Sequence, residues 1–215
     1  LQMWTLFELD PTSTAYTCPR PMRVRGELRV ESLVRALRAV GAAQDMLRTR
    51  YGDDEDTGQP AQWLYGASEW DPPVSEEVAG SEEQVQGLVA REMEKAIDLR
   101  HGVVRLLVVH VEGGSEHVVL LLVHHIAFDG ASASPLRAGL IAAYNALVGG
   151  EAMPELRPEA QYLDWAAWQR ALFEQPCTCS RPWCQRGKCS TMQCTLEWWR
   201  ESLLGGGSSG ELPML

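Results

Sequence analysis

The centre of the chain carries its strongest hydrophobic pattern, two β-rich runs joined by a short polar segment. The runs are Val103–Val111 and His117–His124, and Glu112-Gly113-Gly114-Ser115-Glu116 links them. Such runs around a glycine-containing link predict an antiparallel hairpin. Because positions 118–123 are all apolar, both faces of the second strand are expected to be buried.

Apolar residues at helical or alternating spacing predict the elements on either side of this hairpin. Helices are expected from Val30 to a stop at Gly41, from a Ser81–Gln84 capping box to Ile97, from about Pro135 to Gly149-Gly150, at Tyr162–Phe173 and at Leu196–Leu204. Strands are expected at Arg20–Gly26, Met46–Tyr51 and Gln62–Tyr65, with a polar loop at Trp70–Gly80. This order predicts a mixed α/β fold (α+β), in which helices cover a mixed sheet that is not a series of βαβ units. The aromatic residues of the Tyr162–Phe173 helix are expected in a core rather than in a ligand platform.

Composition and charge narrow the class of protein. At 215 residues and 45% hydrophobic content, the chain is long enough for one sizeable core and short for two. The formal net charge is −10 without a block of Lys and Arg, which argues against a nucleic-acid partner. No stretch approaches the roughly 20 apolar residues of a membrane helix. The chain begins at Leu1 inside an amphipathic segment without a basic n-region. We therefore expect residues 1–215 to be cut from a longer protein at both ends, rather than to begin with a signal peptide.

Cysteines are distributed unevenly along the chain. Cys18 stands alone, and the others crowd into one short segment: Cys177, Cys179, Cys184, Cys189 and Cys194. A disulfide framework would spread its cysteines along a secreted chain. The pattern therefore favours a reducing, cytoplasmic location.

The candidate chemistry lies where the second central run ends, at His124 and His125. Neighbouring strand residues point to opposite faces, so only one of these imidazoles can face a given cavity. An imidazole is suited to taking a proton from an attacking amine or hydroxyl. The helix expected after Asp129-Gly130 would direct its free amides towards this turn, where they could stabilise an oxyanion. Taken alone, such a pair is more often structural, or part of a metal site with Asp129 as the third ligand, than catalytic.

Four segments, in order, resemble motifs of the condensation domains of nonribosomal peptide synthetases. Gln2–Pro11 is similar to the end of the opening motif, and Met46–Tyr51 to the tail of the second, Arg-His-Glu-x-Leu-Arg-Thr-x-Phe. His124–Gly130 matches His-His-x-x-x-Asp-Gly completely, and Tyr162–Trp168 matches Tyr-x-Asp-(Tyr/Trp)-Ala-x-Trp. The resemblance covers the chain except its cysteine-rich segment.

The resemblance implies one lobe of a two-lobed fold of the chloramphenicol acetyltransferase type, the N-terminal lobe. In that family the active site lies in a tunnel between the lobes, where an amine attacks an acyl thioester. By that analogy His125 is catalytic, as general base or as an orienting partner for the amine. Gly130 keeps the tunnel wall open beside the thioester. His124, Asp129 and Arg48 would be structural, with Arg48 paired to Asp129. The expected partners are carrier domains that bring both substrates on phosphopantetheine arms, the C-terminal lobe and an adenylation domain. No cofactor or metal is expected on this lobe.

The departures from the family pattern are equally specific. Ala43-Gln44-Asp45 stands where the family has Arg-His-Glu, and the chain ends before a second lobe. A single lobe cannot hold two substrates in attack geometry, so the isolated chain is expected to be inactive. Alternative functions are an acyltransferase with an alcohol acceptor and a non-catalytic lobe that docks carrier domains.

The cysteine-rich segment 174–195 falls where the family needs only a short link, so it is expected to be an inserted loop. It contains no Cys-x-x-Cys pair, which makes a structural zinc site the less favoured interpretation. A retained unspliced or mistranslated stretch is a further alternative.

Overall fold

A computed structural model describes residues 2–113 and 115–175, together with Ser190, Gln193 and Leu196. The chain divides into two compact units, Leu1–Glu159 and Ala160–Leu215. The helices are α1 (Gln2–Leu9), α2 (Val30–Ala43), α3 (Glu82–Met93), α4 (Ala133–Gly149) and α5 (Tyr162–Glu174). The strands are β1 (Thr17–Arg25), β2 (Thr49–Asp53), β3 (Pro60–Leu64), β4 (Val74–Ala79), β5 (Val104–Val111) and β6 (Glu116–His124).

The first unit is built on a mixed four-stranded sheet in the order β1-β6-β5-β4. Strand β6 pairs antiparallel with β1 and β5, whereas β4 pairs parallel with β5. Strands β2 and β3 form a separate antiparallel pair. The central hairpin predicted from the sequence is confirmed as β5–β6.

Helices cover both faces of the four-stranded sheet. On one face, Glu92 of α3 forms an ion pair with Arg105 of β5. On the other face, residues of α4 and Leu121 of β6 line a common cavity, and α4 packs against α2. Residues Val118–Val123 of β6 are at most 6% exposed. The mixed sheet covered by helices and the burial of both faces of β6 are therefore confirmed.

Most of the predicted elements of the first unit are confirmed with shifted ends, but two predictions are wrong. Residues 70–80, expected to be a polar loop, contain the edge strand β4. Strand β4 has polar residues at positions 75–77, and Val78 is exposed. Its sequence therefore lacks the alternation of apolar and polar residues that is typical of a half-buried strand. Gly41 does not end α2, which continues to Ala43. A Cβ at Gly41 would overlap the ring of Trp70, so this glycine allows close packing.

Two further segments differ in detail. The predicted strand Met46–Tyr51 begins as a 3₁₀ turn, Asp45–Arg48, and only then enters β2. At the start of α3, the Gln84 amide donates to the Ser81 hydroxyl as a capping box requires. The Gln84 side chain, however, accepts from the Gly80 amide.

The second unit contains α5, which the sequence predicts within one residue. Its aromatic side chains are exposed: Tyr162 55%, Trp165 44% and Trp168 57%. The expectation that this helix belongs to a core is therefore wrong in this structure. The cysteine-rich segment and the predicted Leu196–Leu204 helix lie, apart from isolated positions, outside the described residues.

Candidate active site

His124 is the buried member of the histidine pair at the end of β6. Its side chain is 4% exposed, and its Nδ1 accepts a hydrogen bond from the Ile126 amide at 3.1 Å. Burial lowers the pKa of His124 to about 4, and neighbouring His125 adds to the shift. His124 is therefore a neutral imidazole that holds the backbone of the turn immediately after His125.

His125 is exposed and lies one position beyond the last residue of β6. Its backbone amide donates to the Tyr16 carbonyl at 2.8 Å, which extends the pairing between β6 and the chain before β1. The two imidazoles therefore differ in exposure, with His124 buried and His125 accessible.

Asp129 stabilises the turn that leads into α4. Its Oδ1 accepts hydrogen bonds from the Ser132 amide at 2.8 Å and the Ser132 hydroxyl at 2.5 Å. These hydrogen bonds hold the pKa of Asp129 below its usual value. Ser132 was not among the residues singled out from the sequence, although a serine three residues after an aspartate is a typical turn signal.

The predicted pair between Arg48 and Asp129 is not present. Arg48 is 6% exposed, and its Nη2 lies 2.5 Å from Asp45 Oδ1. Its Nε donates to the Gly41 carbonyl at 2.8 Å, and its Nη1 donates to the Tyr65 carbonyl. Arg48 thus joins the end of α2, the 3₁₀ turn and the end of β3, while Asp129 uses Ser132.

Gly130 does not need the backbone freedom of glycine. Its φ lies outside the left-handed region, and a Cβ there would have no atom within 4 Å. Gly130 instead lines a cavity of about 420 Å³ between α4 and the β1–β6 face of the sheet. A side chain at this position would extend into open space at the cavity.

Two arginines that no sequence motif indicated lie at this cavity. Arg20 and Arg137 both line it, and the Arg20 guanidinium stacks 4.8 Å from the centre of the Phe128 ring. Phe128 is buried within the His124–Gly130 segment. Through Arg20, the cavity lining contacts Phe128 in the segment that follows His125.

A second histidine pair lies at the opposite end of β6. His110 Nδ1 and His117 Nδ1 are 2.9 Å apart, and His117 Nε2 is 3.1 Å from the Gly26 carbonyl oxygen. His110 Nε2 is 3.4 Å from Glu76 of β4. These side chains form a hydrogen-bonded row across the sheet, which sequence spacing alone did not reveal.

Within the described ranges, no three His, Cys, Asp or Glu side chains form a group that could hold a metal ion. None of the described helices combines the length and apolar character needed to cross a bilayer.

Comparison with protein families gives a match to the condensation domain over residues 1–178. A linear gramicidin synthase of Brevibacillus parabrevis is 34% identical over 179 residues, 80% of this chain and 2% of that protein. The dimodular nonribosomal peptide synthase of Bacillus subtilis (strain 168) is 33% identical over 174 residues, 80% of this chain and 7% of that protein.

Solved structures share the fold. The X-domain from teicoplanin biosynthesis is 28% identical, with a TM-score of 0.75 over 99% of this chain and 43% of that chain. The first condensation domain of the calcium-dependent antibiotic synthetase, in complex with a substrate analogue, is 23% identical, with a TM-score of 0.70. The present chain covers 97% of its own length and 46% of that structure in this comparison, so it spans less than half of these solved chains.

Proposed function

Because this chain belongs to the condensation-domain family of nonribosomal peptide synthetases, we propose that it is part of a domain that forms amide bonds between carrier-bound substrates. The donor is an acyl or peptidyl thioester, and the acceptor is the amine of a carrier-bound amino acid. The observation that carries this proposal is the different environment of the two histidines. The imidazole of His124 is buried and holds a backbone amide, whereas that of His125 is exposed.

His125 is the proposed catalytic residue. The amine nitrogen bonds to the thioester carbonyl carbon, the carbon–sulfur bond breaks, and the amine proton is finally taken up by the released thiolate. The His125 ring accepts a hydrogen bond from the attacking amine, which orients its lone pair towards the carbonyl. In the first turn of α4, Pro135 has no N–H and the Ala133 amide bonds the Gly130 carbonyl, so the helix favours negative charge on the developing carbonyl oxygen through the positive end of its dipole.

The other site residues position this turn. His124 fixes the amide of Ile126, and the Asp129–Ser132 hydrogen bonds fix the approach to α4. Gly130 keeps the adjacent cavity free of a side chain. Arg48 belongs to the scaffold between α2 and β3 rather than to this turn.

The proposed partners follow from the reaction. Two carrier domains bring the substrates on phosphopantetheine arms, a second lobe completes the site, and an adenylation domain loads the acceptor carrier. The reaction as proposed uses no metal or organic cofactor on this lobe. A cytoplasmic location is part of the same proposal.

The test is the substitution His125→Ala in the complete two-lobed domain, supplied with loaded donor and acceptor carriers. General acid–base and orienting groups typically contribute about 100-fold or more to rate, so product measured by mass spectrometry should fall by at least that factor. His101→Ala is the matched control, because that side chain is 84% exposed on the loop before β5. Unchanged product from a folded His125→Ala domain would overturn the catalytic role of His125 and favour a lobe that only docks carrier domains. An ester product from the unaltered domain would show that the acceptor is an alcohol and not an amine.

A further inference from the structure

The cavity beside Gly130 combines two cationic side chains with an apolar wall. Arg20 of β1 and Arg137 of α4 lie at this cavity of about 420 Å³, a size typical of small-molecule sites. The apolar wall consists of Met22, Leu121, Leu136 and Leu140. Within the described part of the chain, no carboxylate forms an ion pair with Arg20 or Arg137.

Arg20 has an unfulfilled requirement at this position. Its Nε is buried and, among the described residues, has no hydrogen-bond partner. A buried donor of a charged group without a partner costs free energy, which an anionic acceptor would recover. The chain has a formal net charge of −10, so carboxylates outnumber basic side chains. Two arginines at one cavity without a carboxylate partner are therefore unusual for this chain.

We infer that this cavity binds an acyl group that carries a carboxylate, with the carboxylate between Arg20 and Arg137 and the aliphatic part against the leucines. This inference rests on the proposed function, because it identifies the cavity as the site of an acyl substituent next to the His125–Gly130 turn. The proposed amide-forming reaction does not require an acidic acyl group. The inference adds this class of substrate to it.

The apolar wall favours a carboxylated acyl chain over the other anion in the proposed reaction, the phosphate of a pantetheine arm. A pantetheine arm carries two amides, which need hydrogen-bond partners when they leave water. Apart from the two arginines, Ser134 has the one side chain of the cavity lining that forms strong hydrogen bonds, and Met22, Leu121 and Leu140 offer none. A carboxylate, in contrast, matches the planar guanidinium with two parallel hydrogen bonds.

Binding to the 215-residue chain at low ionic strength tests the inference without depending on catalysis. Isothermal titration with monomethyl adipate, methyl hexanoate and 4′-phosphopantetheine compares an aliphatic carboxylate, a similar uncharged chain and the arm phosphate. We expect monomethyl adipate to bind at least tenfold more tightly than methyl hexanoate, because a charged hydrogen bond is worth about that factor or more. Arg137→Gln should weaken binding of monomethyl adipate about tenfold. Arg35→Gln, which changes an exposed arginine of α2, should not weaken it.

Three results would overturn the inference. The first is equal binding of monomethyl adipate and methyl hexanoate. The second is an equal effect of Arg137→Gln and Arg35→Gln on binding of monomethyl adipate. The third is binding of 4′-phosphopantetheine alone that depends on Arg137, which would assign the arginines to the carrier arm. Product formation without selective adipate binding would refute only this inference. Selective binding in a domain that forms no product would refute only the proposed function.

Discussion

Arg48 Nη2 lies 2.5 Å from Asp45 Oδ1, and the same guanidinium donates to the carbonyls of Gly41 and Tyr65. Arg48 therefore satisfies acceptors from three parts of the chain: the end of α2, the 3₁₀ turn and the residue after β3. Asp45 is the acidic partner of this guanidinium and lies three residues before it, in the same 3₁₀ turn. The pair stabilises the scaffold beneath β2.

Replacing Arg48 with Ala should lower the free energy of unfolding by about 3 kcal/mol, since breaking a buried pair leaves its partners without compensation. Urea unfolding measures this. The matched control is Arg38→Ala, which removes an ion pair to Asp71 with side chains 46% and 70% exposed and should cost at most about 1 kcal/mol. Asp129→Asn should have a much smaller effect than Arg48→Ala. Equal effects of these two substitutions would restore the Arg48–Asp129 pair.

The buried imidazole of His124 should make folding sensitive to acid. Burial holds the pKa of His124 at about 4, whereas an unfolded histidine has a pKa of about 6.5. Below about pH 6.5 only the unfolded state binds this proton, so stability falls as pH decreases towards 4, by up to about 3 kcal/mol. His124→Asn should flatten the dependence of unfolding free energy on pH in this window. His101→Asn should leave it unchanged, and identical slopes for both variants would contradict the assignment.

Ser132→Ala should raise the pKa of Asp129 towards its usual value. The main cause of the low pKa is the hydrogen bond from the Ser132 side chain, which stabilises the ionised carboxylate. Titration of the carboxyl carbon by NMR measures the shift. Ser134→Ala, in the first turn of α4, is the control and should leave the Asp129 pKa where it is. A pKa that is equally low in both variants would mean that the Ser132 hydroxyl does not stabilise the carboxylate.

The hydrogen bonds of His110 and His117 assign their tautomers. The Gly26 carbonyl can only accept, so His117 Nε2 carries the proton and His117 Nδ1 is free to accept from His110 Nδ1. We therefore expect the Nε2–H tautomer for His117 and a proton on Nδ1 of His110. The contact between His110 Nε2 and the Glu76 carboxylate is a hydrogen bond only where Nε2 is protonated as well. Nitrogen-15 NMR of the ring atoms distinguishes the two forms. His117 protonated at Nδ1 would contradict the hydrogen-bonded row.

Gly41→Ala should destabilise the fold although alanine favours helices. A Cβ at this position overlaps the Trp70 ring, and overpacking of this kind typically costs about 1–3 kcal/mol. The matched control is Gly87→Ala in α3, where a Cβ meets no atom within 4 Å and a gain of up to about 1 kcal/mol is expected. Thermal unfolding compares the two. Stabilisation by both substitutions would show that Trp70 does not pack against Gly41.

Much of the fold follows from local pattern. The apolar run of β6, the glycine link before it and the helical spacing of α2 and α4 each predict an element that the structure contains. Strand β4 escaped prediction because an edge strand can carry polar residues on its exposed positions. The contact between Gly41 and Trp70 escaped because a glycine near the end of an apolar pattern is also a typical helix stop.

The sequence by itself determined the sheet-forming hairpin and placed the paired histidines at its end, because the pattern of apolar positions along a strand is a local property of the chain. Only the tertiary structure decided which partner each polar side chain has. Arg48 donates to the Tyr65 carbonyl and does not pair with Asp129, and Arg20 stacks on Phe128 at the cavity that Arg137 also lines. Such pairings depend on how elements distant in the chain pack together, and no local periodicity encodes that packing.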